Sequence, residues 1–152
     1  MVDTLTARRQ VNRGRTGFTL VELMFVVVIL SILMAIAFPA FYRMRERAKE
    51  AGVKSNAHTV QLAAEDFAAQ NDGVYAIDDS SALPTGDTIA DLVMPSVSNP
   101  FDNSDATPVV WTGSADAEGR IGYDSSMEPG VRYVIDGQGD GGVVLLLLTN
   151  GQ

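Results

Sequence analysis

The chain has 152 residues, enough for one domain plus an appendage, and 46% of them are hydrophobic. It contains no cysteine, which excludes disulfide stapling, thiolate catalysis and zinc–thiolate sites. Charge is divided along the chain: residues 1–54 hold nine of the eleven bases against four acids, whereas residues 55–152 hold only Arg120 and Arg132 against fifteen acids. The acidic part repels nucleic-acid backbones, so no nucleic acid is expected among the partners.

Residues 1–17, "MVDTLTARRQVNRGRTG", carry Arg8, Arg9, Arg13 and Arg15 and no apolar stripe, the texture of a basic leader like the n-region of an export signal. An apolar run follows. From Leu23 to Phe41 only Ser31 and Pro39 fall outside the plainly apolar set, and as a helix this run approaches the roughly 30 Å of a bilayer core. Glu22 sits just inside its start, where a carboxylate is costly unless something compensates it.

Beyond the run, Val53, Ala57, Val60, Ala64 and Phe67 recur at spacings of four and three, one face of an amphipathic helix. Only Pro39 interrupts the pattern, and it reads as a kink, since proline removes a backbone donor and crowds the preceding turn. The combined reading is one helix from about Phe18 to Asn71, closed by the glycine of "NDG". Gly52 inside it carries the usual helix penalty of about 1 kcal/mol relative to alanine. The bare first half must go into lipid or against other copies of itself.

Residues 74–108 read as a long irregular connection, with a short helix at "DTIADLV". Four strand candidates follow: "VVWT" (109–112), "GRIGYD" (119–124), "VRYVID" (131–136) and "VVLLLLTN" (143–150). The turn "DGQGDGG" makes the last two an antiparallel hairpin. Strands after a helix without βαβ alternation define an α+β fold, a long kinked N-terminal helix packed in its second half on a small antiparallel sheet.

Asp136 and Asp140 bring two carboxylates into "DGQGDGG", but the ladder and closing glutamate of a calcium loop are missing. A glycine-rich hairpin turn accounts for it, and no metal or cofactor is expected. His58, the sole histidine, falls on the solvent side of the helix and has no second ligand or nucleophile motif to work with. Phe101, Trp111, Tyr123 and Tyr133 read as core residues. No enzymatic constellation emerges.

"GFTLVEL", Gly17 to Leu23, closely resembles the processing site of type IV prepilins and type II secretion pseudopilins. The likeness includes the basic leader, glycine before phenylalanine, a glutamate four residues on, the apolar span and Pro39 within it; it is strong over residues 14–72 and architectural beyond. The resemblance implies cleavage between Gly17 and Phe18 by a membrane-embedded prepilin peptidase, with N-methylation of the new Phe18 amine. It divides the chain into a leader (1–17), a transmembrane and filament-core helix (18–42) and a globular unit (43–152). It also implies self-assembly into a helical filament with inner-membrane assembly machinery. The localisation implied is a single-pass inner-membrane protein in lipid before assembly, then an extracellular or periplasmic filament.

Cleavage leaves Glu22 one helical turn from a charged amine. The family's arrangement pairs that carboxylate with the amine of a neighbouring subunit; pairing with its own Phe18 amine, or reaching headgroup water, stays open. Thr19 is placed to satisfy a backbone or amine group locally, and Pro39 to mark where helical order loosens in a filament. The longer leader and the absence of a C-terminal disulfide depart from many members. A secreted globular protein cut after "AIA" (35–37), ahead of Phe38, is the rival reading. Within the favoured class, surface pilus and secretion pseudopilus both remain, with "NPF" and the missing disulfide leaning toward the pseudopilin.

Overall fold

The computed structural model describes residues 17–94 and 96–150, in two compact units divided between Ala40 and Phe41. The leader through residue 16 lies outside the described residues. Helix α1 (Leu20–Gln70) contributes its first turns to one unit and its remainder to the other, and its helical assignment continues through Pro39. Its end is set by a left-handed turn: Asp72 and Gly73 have positive φ, and the Gly73 N–H donates to the Ala68 carbonyl at 2.9 Å. That six-to-one bond satisfies one of the terminal carbonyls the helix would otherwise leave open.

In the unit from Phe41 onward, Val53, Ala57, Val60, Ala64 and Phe67 are all buried, as their spacing predicts, and Ala63 and Ala68 widen the stripe. The connection after α1 is not a passive strap. Ala76, Leu83, Ile89, Val93 and Val97 from it enter the same core. Its short helix α2 (Ile89–Val93) is opened by Thr88, whose hydroxyl accepts from the Asp91 N–H while the Asp91 carboxylate accepts from the Thr88 N–H and O–H. These bonds hold the Asp91 carboxyl below the ordinary range.

The sheet runs β1 (Val109–Trp111), β2 (Ile121–Asp124), β3 (Val134–Gln138) and β4 (Val144–Thr149), paired in that order. β2–β3 and β3–β4 are antiparallel, the latter with a register shift at Gly137/Gln138. β1, however, pairs parallel to β2, so the sheet is mixed where the sequence reading makes it wholly antiparallel. The reason lies in residues 112–120. Instead of a hairpin, the chain turns at Thr112, which has φ 68°, and returns across the sheet's outer face. There the Ala115 N–H donates to the buried Asp136 carboxylate at 3.1 Å, and Gln138 Nε2 donates to the Ala115 carbonyl. A Cβ on Gly122 would lie 2.3 Å from the Ala115 nitrogen, so only glycine leaves room for this crossing.

The inner face of the sheet carries Val109, Ile121, Tyr123 and Ile135 against α1. Tyr123 and Tyr133 are buried; the Tyr123 hydroxyl donates to the Ala76 carbonyl and that of Tyr133 to Glu65, at 2.8 and 2.6 Å. Burial pushes both phenols up, for Tyr133 reinforced by the Glu65 carboxylate. Phe101 and Trp111 pack, partly buried, against the same core.

Glycines set how closely the layers approach. A Cβ on Gly137 would lie 2.8 Å from Val53 Cγ1 and 3.1 Å from Leu146 Cδ2. Gly137→Ala therefore forces helix and sheet apart, and the expected cost is about 1–3 kcal/mol, read by urea unfolding of residues 41–152. Gly52 has a similar explanation: its Cβ would meet Pro100 Cγ at 2.9 Å, so the glycine that weakens α1 also seats the "NPF" loop.

Candidate assembly interface

The amino-terminal turn of α1 is closed by its own side chains. Thr19 is the N-cap: its hydroxyl accepts from the Glu22 N–H at 3.2 Å, and Glu22 Oε2 accepts from the Thr19 N–H at 3.1 Å and the Thr19 O–H at 2.9 Å. "TLVE" is thus a capping box, satisfying donors that a helix start leaves open, with the carboxylate also favoured by the helix dipole. Thr19 and Glu22 are brought together; Phe18 immediately precedes them, and in the full chain its nitrogen is a peptide amide joined to Gly17. Gly17 has nothing within 4 Å of where a Cβ would stand.

Every residue from Gly17 to Arg45 is exposed. α1 is the helix long and apolar enough to cross a membrane, and none of its apolar window is buried. Val21, Met24, Phe25 and Val28 line one continuous groove along it, the i, i+3, i+4, i+7 face on which another apolar helix or lipid chains pack. Ser31 donates back to the Val28 carbonyl at 2.8 Å, so its hydroxyl places no unmet polar group on this surface. Pro39 deprives the Ala35 carbonyl of its usual helical donor.

Of the other sequence candidates, His58 is exposed and contacts Gln61 at 3.3 Å. Asp136 is buried under Ala115, while Asp140 is exposed in the 140–142 turn.

Sequence reasoning passed over one polar centre, in the globular unit. Arg120 donates through Nε and Nη2 to both oxygens of Asp105, at 2.8 and 3.1 Å, and through Nη1 to Asp116. Asn99, 4% exposed, uses its whole hydrogen-bonding capacity: Nδ2 donates to Asp105 and the Glu118 carbonyl, and Oδ1 accepts from the Phe101 and Asp102 N–H groups. Arg120 and then Asn99 hold the Asp105 carboxyl well below the usual range. The available signal was a lone arginine in a stretch otherwise dominated by acids. The centre pins the "NPF" loop and every partner in it is matched, a structural role.

An exposed apolar helix opened by a Thr–Glu cap and continuing into a small α+β unit is the layout that the resemblance to type IV pilins implies. Residues 12–38 match the family model described as the prokaryotic N-terminal methylation motif. Over 100 residues the chain is 37% identical to the type IV narrow pilus major component PilA5 of Thermus thermophilus, covering 66% of this chain and 81% of that protein. It is 41% identical over 61 residues to the type IV major pilin protein PilA of Myxococcus xanthus, covering 40% of this chain but only 28% of that longer protein. No solved structure matches. The chain belongs to the type IV pilin family.

Proposed function

We propose that this chain is a structural, non-catalytic subunit of a type IV pilus-like filament. Its precursor is a single-pass inner-membrane protein, cut between Gly17 and Phe18 by prepilin peptidase and N-methylated at Phe18. Residues 18–42 then form the filament core and residues 43–152 the surface unit, with the inner-membrane assembly machinery moving each subunit out of the lipid. The observation that carries this reading is the capped Glu22 at the mouth of a helix whose first, apolar half is wholly uncovered. Water cannot be the lasting neighbour of so much apolar surface, and lipid first and sister helices later both remove it.

In this reading Thr19 keeps Glu22 partnered in the precursor. Cleavage creates an ammonium one turn away, the stronger partner in low dielectric, supplied by a neighbouring subunit as each copy joins. Pro39, with its missing donor, is where the helix loosens during assembly. Both relatives bear the names of pilus major components, which favours a surface pilus over a secretion filament.

The test is processing. With Gly17→Val the β-branched side chain obstructs the backbone's approach to the peptidase, and the processed fraction should fall at least about tenfold, the effect of little more than 1 kcal/mol on a barrier. Amino-terminal sequencing of the wild-type mature protein should begin at Phe18. A start at Phe38, or full processing of the valine variant, rejects the assignment.

A further inference from the structure

In the unit from Phe41 onward, α1 begins with turns that lie ahead of the buried stripe starting at Val53. Phe41, Tyr42, Arg43, Arg45 and Arg47 are all exposed there. Residues 41–49 hold Arg43, Arg45, Arg47 and Lys49 against Glu46 alone. Lys49 is engaged with Glu46 at 3.4 Å and lies over the Phe101 ring, and the next acid, Glu50, is half-buried. Among the described residues Arg43, Arg45 and Arg47 form no salt bridge or side-chain hydrogen bond.

At about 3.6 residues per turn, Arg43 and Arg47 fall on one side of the helix and Arg45 on the other. The three are therefore a collar and not a stripe, and they span about 6 Å along the axis. A rigid protein surface would meet one side of such a helix and leave the opposite cation unpaired. A medium that surrounds the helix meets all three. An extended anionic polymer such as a nucleic acid would also have to pass the fifteen acids of residues 55–152. The headgroup layer of one bilayer leaflet, roughly 5–8 Å deep outside the hydrocarbon, has the collar's own height. Tyr42 immediately precedes the collar, an exposed ring with a polar tip of the kind that settles at that level.

We propose that Arg43, Arg45 and Arg47 form a binding site for anionic phospholipid headgroups while the subunit is in the membrane. This rests on the membrane-spanning precursor proposed above, in which the segment after the span lies on the exported side. Exported flanks are ordinarily poor in Lys and Arg, because basic residues favour the cytoplasmic side. Three unpaired arginines on that flank therefore point to an anionic partner that offsets their placement. A guanidinium fork takes two oxygens of one phosphate, and the arginine stem lies along neighbouring lipid chains. Zwitterionic lipid offers the same phosphate with a compensating ammonium, whereas a headgroup of net negative charge does not, so the collar selects anionic lipid. The acids of residues 55–152 are repelled by such a surface, which leaves the collar as the part of the unit that lies on it.

The test titrates phosphatidylglycerol into full-length protein held in phosphatidylcholine bicelles, followed through the amide and Arg Nε–H NMR signals of residues 41–49. Saturable shifts confined to this stretch are expected. Arg43→Gln, Arg45→Gln and Arg47→Gln should each weaken the apparent affinity about fivefold. Arg132→Gln, at an arginine outside the collar that Glu128 already pairs, should leave the titration unchanged. Inorganic phosphate should give no saturable shift, which separates a lipid headgroup from a free anion. Saturation by inorganic phosphate, or an equal effect of Arg132→Gln and the collar variants, overturns the proposal. Shifts at residues 41–49 that grow with protein concentration in lipid-free micelles would assign the collar to the acidic surface of a second copy and overturn the lipid. Phosphatidylcholine spin-labelled in its acyl chain reads the span separately. Broadening of the signals of residues 21–37 without any response to phosphatidylglycerol overturns the collar alone, whereas no broadening overturns the membrane reading and the collar with it.

Discussion

On the proposed function, Glu22→Ala should enter the membrane and be cut between Gly17 and Phe18, yet its recovery in filaments should fall at least about tenfold. The variant keeps the apolar span, so insertion is unaffected, and it leaves Gly17 and Phe18 intact for the peptidase. What it removes is the group proposed to meet the new ammonium when a subunit leaves lipid for the filament. An unpaired ammonium in an apolar helix bundle has no water to turn to, so the loss is felt on joining and not before. The measurement is the ratio of filament-bound to membrane-bound mature protein. Because Glu22 also caps α1, Thr19→Ala is the control: it breaks the same capping box but keeps the carboxylate, and it should assemble far better than Glu22→Ala. Equal assembly defects in the two would show that helix capping, not charge pairing, is what assembly requires.

The parts of this protein that were legible in its sequence are those governed by short-range periodicity. The apolar span, the Val53–Phe67 stripe, the "NDG" stop and the short helix near Ile89 all follow from spacing and cap chemistry, and each stands within a residue or two of its expected place. The four strands were legible as segments, but the direction of β1 was not. That depends on Asp136 holding Ala115 over Gly122, a contact between residues far apart in sequence that no local pattern encodes. Asp136 is instructive here. In sequence it looks like half of a cation loop with Asp140, whereas in the fold it faces the crossing segment and shares a groove with Asp124. At the amino terminus the motif "TLVE" was present to be read, yet its capping geometry is obscured by the stronger signal of an acid beside a membrane span. Gly52 and Gly137 likewise register in sequence only as defects of helix and strand; their use appears once Pro100 and Val53 are placed against them.

Asp105→Asn is expected to cost the globular unit about 2 kcal/mol at pH 7 although it removes no apolar surface. The carboxylate side chain is only 6% exposed, and it receives two bonds from Arg120 and one from Asn99. An asparagine in its place can accept from only part of that fork and presents an amide where donors already point. The pH dependence separates this account from simple mispacking. Because Asp105 is held well below the ordinary carboxylate range in the fold, its contribution is complete above about pH 5. It is lost progressively as pH falls below about 4, where the unfolded chain takes up a proton that the folded one refuses. Urea unfolding of residues 41–152, whose buried core from Val53 to Ile135 is entirely its own, should therefore give wild-type and variant curves that converge between about pH 5 and pH 2. Asp91, Asp102 and Asp124, also held low by neighbouring hydroxyl and backbone donors, leave the variant a residual acid slope of the same sign. A gap between the two proteins that stays constant across that range would mean that the Arg120 fork contributes shape rather than charge to the loop it pins.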